Sequence, residues 1–384
     1  MLGNRISGLA AGLVWAVAGL STHASVDLDI PPRAQWGNNS GYCGECSIQQ
    51  IALYYGSYIS QYRARQIIDP TQIQDALVPA NSGPIFDALR LNYVAWNSNL
   101  NAPQYQNYLV WAKSHLAQRH PVIMDVYAQW GSDPDYDHIV PVTGFASADT
   151  NAFHAADTLV FHDNYSATPF TRTFGSLYDT RALNGNGATY EYCLPRDIDY
   201  GCAVTGINDQ SGAALPVSLK VDRWDEPNIS LGEAPVKMNA TIQVSSLAAG
   251  SAYVLLRYDD YHNVPTSNYL TSAYTTATTF VATNNTQTLS DHFMSDGTVI
   301  YRCVPALLNA PNISSLQLAG ADVCVNFTTQ TNWVYGVEYR NDLAAGSWTS
   351  LTTNLAGTGG TLTFTNSGGA NPGRRFYRIH MTVP

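Results

Sequence analysis

At 384 residues the chain is too long for one ordinary domain; a prior of about 150 residues per domain suggests two or three. Apolar residues make up 45%, ample for packed cores, whereas only 12% are charged. The net charge of −10, with no basic stripe, argues against nucleic acid or an anionic membrane as the main partner.

The N-terminus reads as an export signal. Arg5 supplies a positive start, Ser7 to Leu20 are apolar and uncharged, and Thr22-His23-Ala24 is a small-x-small cleavage site. Cleavage is expected after Ala24, which makes residues 1–24 a signal peptide and the mature protein secreted or periplasmic. The run is too short to span a bilayer comfortably, and no later segment is long and apolar enough, so no membrane span is expected after cleavage. Export permits disulfides among Cys43, Cys46, Cys193, Cys202, Cys303 and Cys324. Cys193 and Cys202 close a short loop and are the best candidates for a structural bridge.

Ser25 to Pro32 reads as an extended entry strand, and Gln35 to Tyr42 as a Gly/Asn-rich loop. From Cys43 the spacing of Ile48, Ile51, Ala52 and Tyr55 predicts a helix with Gly56 at its end. Further helices are expected over Tyr58 to Ile68, Gly83 to Leu91 and Tyr105 to Gln118, the last with Tyr108, Leu109, Ala112 and Leu116 on one face. Strands are expected at Pro121 to Tyr127, His138 to Phe145 and Thr158 to Phe161. Helices first and an antiparallel sheet after make an α+β domain over 25–206.

Beyond Gly206 the helical period disappears. Val217 to Val221, Met238 to Val244 and Ala252 to Arg257 alternate as half-buried strands do, and Tyr301 to Pro305 closes a unit over 207–308. Val323 to Phe327, Tyr335 to Tyr339, Thr361 to Phe364 and Phe376 to Met381 form another over 309–384. Both read as all-β sandwich domains.

The chemistry concentrates at Gly41-Tyr42-Cys43-Gly44-Glu45-Cys46-Ser47. A cysteine at a helix N-terminus faces unpaired backbone N–H groups and the positive end of the dipole, both of which favour the thiolate. A histidine can hold that thiolate and later protonate the leaving group, and a third polar group must orient the imidazole. His138 opens an apolar strand in Asp137-His138-Ile139-Val140-Pro141-Val142-Thr143-Gly144. Asp163 ends the next strand in Phe161-His162-Asp163.

On these residues the chain resembles the papain-like superfamily, nearest to the peptidases that process bacteriocin leaders in export transporters. Cys43-Gly44, Tyr54-Tyr55-Gly56 and the run from His138 to Gly144 carry the resemblance, which covers about 30–206. It implies a papain-like cysteine peptidase domain with Cys43, His138 and Asp163 as a triad, no cofactor, and a peptide or protein substrate. The family places an oxyanion-hole glutamine about six residues before the cysteine. Position 37 is glycine here, so Gln35, Asn38 or Asn39 must substitute, with Gln35 preferred. Cys46 occupies the nucleophile's place in the Cys-Gly-x-Cys pattern of papain proper and stays open as the alternative to Cys43. The last unit resembles the fibronectin-like modules of secreted bacterial proteins, through Val337-Glu338-Tyr339, Trp348 and Arg375-Phe376-Tyr377-Arg378.

The expected function is therefore a secreted thiol-dependent hydrolase, a cysteine peptidase. The competing expectation is a catalytically inactive papain-like protein for surface binding or adhesion, with the sandwiches contacting a cell surface or glycan. A third is an extracellular thiol–disulfide oxidoreductase using Cys43 and Cys46.

Overall fold

The structure is a computed structural model that describes residues 24–37, 41–127, 137–177, 192–195, 197–306, 311–329, 334–344, 346–371 and 373–382. The expected signal segment up to residue 23, Asn38 and Asn39 lie outside the described residues. The chain is mostly β, with several antiparallel sheets and few helices. Among the described residues no helix is long and apolar enough to cross a membrane. Contacts divide the chain into two units that interleave in sequence. The first comprises 1–29, 95–162 and 169–203, the second 30–94, 163–168 and 204–384.

The first unit holds paired strand segments in the order 201–203, Val122–Tyr127, Asp137–Ser147, 158–162 and 169–173. Ala24–Asp27 also pairs with Asp137–Ser147, matching Val26 to Phe145. The helix Tyr105–Ala117 forms where its spacing predicts, and Tyr108, Leu109, Ala112 and Leu116 are all buried. Its Lys113 is buried as well. The ammonium has four acceptors in reach of its three hydrogens, the Asp157 carboxylate (2.5 Å), the Ser147 hydroxyl (3.0 Å) and two backbone carbonyls, so the charge is compensated.

The Cys193–Cys202 bridge is not formed. Cys193 lies opposite Tyr127 and Cys202 opposite Ile123 on the same strand. Four strand positions separate their partners by about 13 Å. A disulfide needs Cα atoms within about 7 Å.

Asp199 in this unit is fully buried, and neither carboxylate oxygen has a hydrogen-bond partner among the described residues. Burial pushes its pKa up from 3.8 to about 8. The folded value exceeds the unfolded one, so this group's contribution to stability is intact below about pH 4 and is lost as pH rises towards 8. Asp199→Asn should therefore be more stable than the native chain at pH 8, by at most about 5 kcal/mol, and little different at pH 4. Urea unfolding at the two pH values checks this; an equal gap at both would contradict it.

The second unit joins the Cys43 helix to β-structure far along the chain. Tyr58 to Ile68 does not form one helix. Ser57–Ile59 is a buried strand, and Ser60 then caps the helix Gln61–Ile68 by accepting a hydrogen bond from the Arg63 backbone N–H at 3.1 Å. Gly83 to Leu91 is likewise shorter, with a helix Gly83–Ala88 followed by a strand Leu91–Ala95. Ser57–Ile59 pairs antiparallel with Thr298–Pro305, matching Tyr58 to Val299. It completes a sheet in the order Thr276–Val281, Ala252–Tyr258, Thr298–Pro305, Ser57–Ile59.

A second sheet, Gln287–Met294, Lys237–Val244, Val217–Val221, shares one apolar core with it, to which Leu53 and Tyr58 also contribute. The alternation legible in Met238 to Val244 is the burial alternation of this core. Grouping by contacts thus cuts across the boundary that the sequence suggests at 206. A second pair of sheets, built from strands between Ile313 and Thr382, packs around Val323, Val325, Phe327, Tyr335 and Val337.

Candidate active site

The helix Cys43–Tyr54 starts where the chain is forced to turn. Gly41 takes φ +51°, a left-handed conformation that glycine adopts readily. Arg65 fixes the next residues. Its guanidinium stacks 3.5 Å from the centre of the Tyr42 ring, donates to the Glu45 carboxylate at 2.7 Å, pairs with Asp75 at 2.9 Å, and donates to the Gly41 carbonyl. Burial pushes the Glu45 carboxyl above its ordinary range, and Arg65 opposes that rise. Glu45 also accepts from the Ala76 N–H at 3.0 Å. Gly44 lies against the same stretch of backbone: a Cβ there would sit 1.9 Å from the Ala76 oxygen. The Cys-Gly pair is thus a packing requirement as well as a motif.

Cys43 opens the helix and is nearly buried, at 7% exposure. Its carbonyl accepts from the Ser47 hydroxyl at 2.7 Å and from Asn164 Nδ2 at 3.1 Å. Asn164 also donates to Ser47 Oγ (3.0 Å), and its Oδ1 accepts from Gln50 Nε2 (2.8 Å). This fully buried amide therefore locks the first turn of the helix. The Asn164 carbonyl accepts from the Gln35 N–H at 2.8 Å, which brings the loop before Cys43 alongside. Gln35 makes a side-chain hydrogen bond with Tyr165, and the Tyr165 phenol lies close enough to Cys43 to feel its charge. Burial, then Cys43 and Asp163, push that phenol up to about 12.

Cys46 is in a different state. It is fully buried; its thiol donates to the Arg33 carbonyl and accepts from Gln50 Nε2, both at 3.5 Å. Burial pushes its pKa far up, so the thiolate is disfavoured. Of the two cysteines, Cys43 alone holds the helix-start position that the chemistry requires.

Asp163 accepts from the Tyr165 N–H at 2.8 Å through one oxygen and from the Ser166 hydroxyl at 2.6 Å through the other. Its carboxylate thus stabilises its own turn. His138 belongs to the first unit. It is fully buried on Asp137–Ser147, opposite Val126, with its ring centre 5.7 Å from that of Tyr192. His162 is buried on the neighbouring strand, its Nε2 3.4 Å from the Thr143 hydroxyl, and desolvation pulls its pKa down to about 4. That ring stays neutral at ordinary pH.

Gln35, Cys43, Asp163, Asn164 and Tyr165 all belong to the second unit. Asn164 and Tyr165 escaped the sequence reading. Their one signal was adjacency to Asp163, in the turn that follows the strand Thr158–Asp163. No protein-family model matches the chain, and no curated protein sequence matches it either.

Proposed function

We propose that the chain is an exported thiol-dependent hydrolase, papain-like in its first expected domain, that cleaves peptide or amide bonds. One observation carries the reading. Cys43 stands at the start of a buried helix whose first turn is locked by Ser47 and Asn164, with Gln35 and Tyr165 beside it. The helix N-terminus favours a thiolate there. Cys43 Sγ attacks the carbonyl carbon, and His138 carries the proton to the leaving amine. Asp163 fixes the imidazole tautomer, and water then releases the acyl group. The Cys43 backbone N–H and the Gln35 side chain hold the oxyanion. The roles of His138 and Asp163 rest on the resemblance and on their order along the chain. The β-bodies, the last of them fibronectin-like, carry surface or glycan contacts.

The glycine at position 37, where the family pattern has a glutamine, favours the second reading, a papain-like scaffold that binds without turnover. The burial of Cys46 weighs against the thiol–disulfide exchanger.

p-Nitrophenyl acetate separates these readings without knowledge of the substrate. The hydrolase releases p-nitrophenolate and carries an acetyl group on Cys43, found by fragment mass spectrometry. Acylation is absent in Cys43→Ala and slow in His138→Ala. Acetylation confined to lysines and hydroxyls, at equal rates in all three proteins, would leave the binding reading standing.

A further inference from the structure

The glutamine that the family pattern places at 37 is absent, and Gln35 occupies unusual surroundings instead. One end of its side-chain amide bonds the Tyr165 phenol. The other end, Oε1, is buried and has no hydrogen-bond partner among the described residues, so the end at the phenol is Nε2. A buried amide end without a partner costs about 1–3 kcal/mol, so it persists where something outside the chain satisfies it. The Gln35 backbone N–H donates to the Asn164 carbonyl, while the Asn164 side chain holds the Cys43 carbonyl. Gln35, Tyr165 and Cys43 are therefore tied through one residue, and the phenol bonds the amide and lies within electrostatic reach of the thiol. Tyr165 itself is 36% exposed, at the rim of this arrangement.

Resting on the hydrolase reading, we propose that Tyr165 is a positioning residue that donates its phenolic hydrogen to Gln35 Oε1 and so presents Gln35 Nε2 to the oxyanion formed at Cys43. The planar amide fits either way round, since its two ends are nearly the same size. With the oxygen on the phenol, the N–H2 group occupies the end that lacks a partner. That end then meets an acceptor only when a carbonyl has been attacked, the condition for stabilising a transition state rather than bound substrate. The high pKa of the phenol keeps the donating hydrogen in place throughout the working range.

The test compares two reactions of the same thiol. Iodoacetamide alkylates Sγ by displacing iodide at a methylene carbon and builds no oxyanion at the attacked atom. p-Nitrophenyl acetate acylates Sγ: the S–C bond forms, the carbonyl oxygen takes the negative charge, and its return expels p-nitrophenolate. In Tyr165→Phe and Gln35→Ala the alkylation rate of Cys43 should stay within about twofold of the native rate, while acylation falls at least about 10-fold, as loss of an oxyanion donor requires. The double variant should be no slower than Gln35→Ala alone, because the phenol acts only through the amide. Phe retains the ring, and circular dichroism confirms that each variant is folded. Unchanged acylation in Tyr165→Phe, or losses that multiply in the double variant, would overturn the role of Tyr165 alone. A native chain whose Cys43 is not acylated at all would overturn the hydrolase reading with it.

Discussion

Replacing Glu226 by alanine should destabilise the Cys43 segment by about 3–5 kcal/mol, although Glu226 lies far beyond the expected catalytic domain. Its carboxylate is buried and accepts from Gln49 Nε2 (2.8 Å), from the Tyr58 hydroxyl (2.5 Å) and from the Gln61 N–H (2.7 Å). Arg33 stands 3.9 Å away, and the Glu226 carbonyl accepts from Trp36 Nε1 at 3.2 Å. Burial pushes the carboxyl up, against Arg33 and these donors. Tyr58 has one hydroxyl hydrogen but lies within bonding distance of both Glu226 and the Ser295 carbonyl (2.7 Å). Alanine would strand the Gln61 N–H and leave a cavity. Glu226→Gln keeps the size and an oxygen that can accept from the Gln61 N–H, and should cost less, about 1 kcal/mol.

The consequence reaches the Cys43 helix. Arg33 donates to Gln49 on that helix at 2.6 Å, and its own carbonyl accepts the Cys46 thiol. Urea unfolding of both variants checks the ranking; equal losses would contradict it. On the same grounds a fragment ending at residue 206 should not fold, because it lacks both Glu226 and the strand that pairs with Ser57–Ile59.

Gly44→Ala should cost about 3 kcal/mol or more and abolish selective reactivity at Cys43. The added methyl would lie 1.9 Å from the Ala76 oxygen and 2.9 Å from its carbonyl carbon, backbone atoms that cannot swing aside. Either the helix start moves or the segment at Ala76 does. Both movements break the bond from the Ala76 N–H to Glu45, and with it the Arg65 cluster that fixes Gly41 and Tyr42. A Gly44→Ala protein with native melting temperature and native Cys43 labelling would contradict this.

Local signals were legible where they were dense. The spacing of Ile48, Ile51 and Ala52 marked the Cys43 helix, and period-two alternation marked Met238 to Val244. Ser57–Ile59 was not legible as a strand, because its partner lies some 240 residues later and three residues carry no period of their own. Strands such as Thr276–Val281 and Thr349–Ala356 are rich in exposed threonine and lack an alternating apolar face. Around the site, the motif showed the proposed nucleophile but not its supports. Asn164 and Glu226 lie in loop sequence and Arg65 in a polar helix, and only tertiary contacts reveal that each is buried.

The most direct test of the central claim is the rate of iodoacetamide labelling from about pH 4 to pH 9, with the modified cysteine located by fragment mass spectrometry. Cys43→Ala, Cys46→Ala and His138→Ala are compared with the native chain. The account predicts rapid labelling of Cys43 well below about pH 7, a changed pH profile in His138→Ala, and no labelling of Cys46 until the protein unfolds. Equal labelling of Cys43 and Cys46, rising only above about pH 8 and indifferent to residue 138, would contradict it.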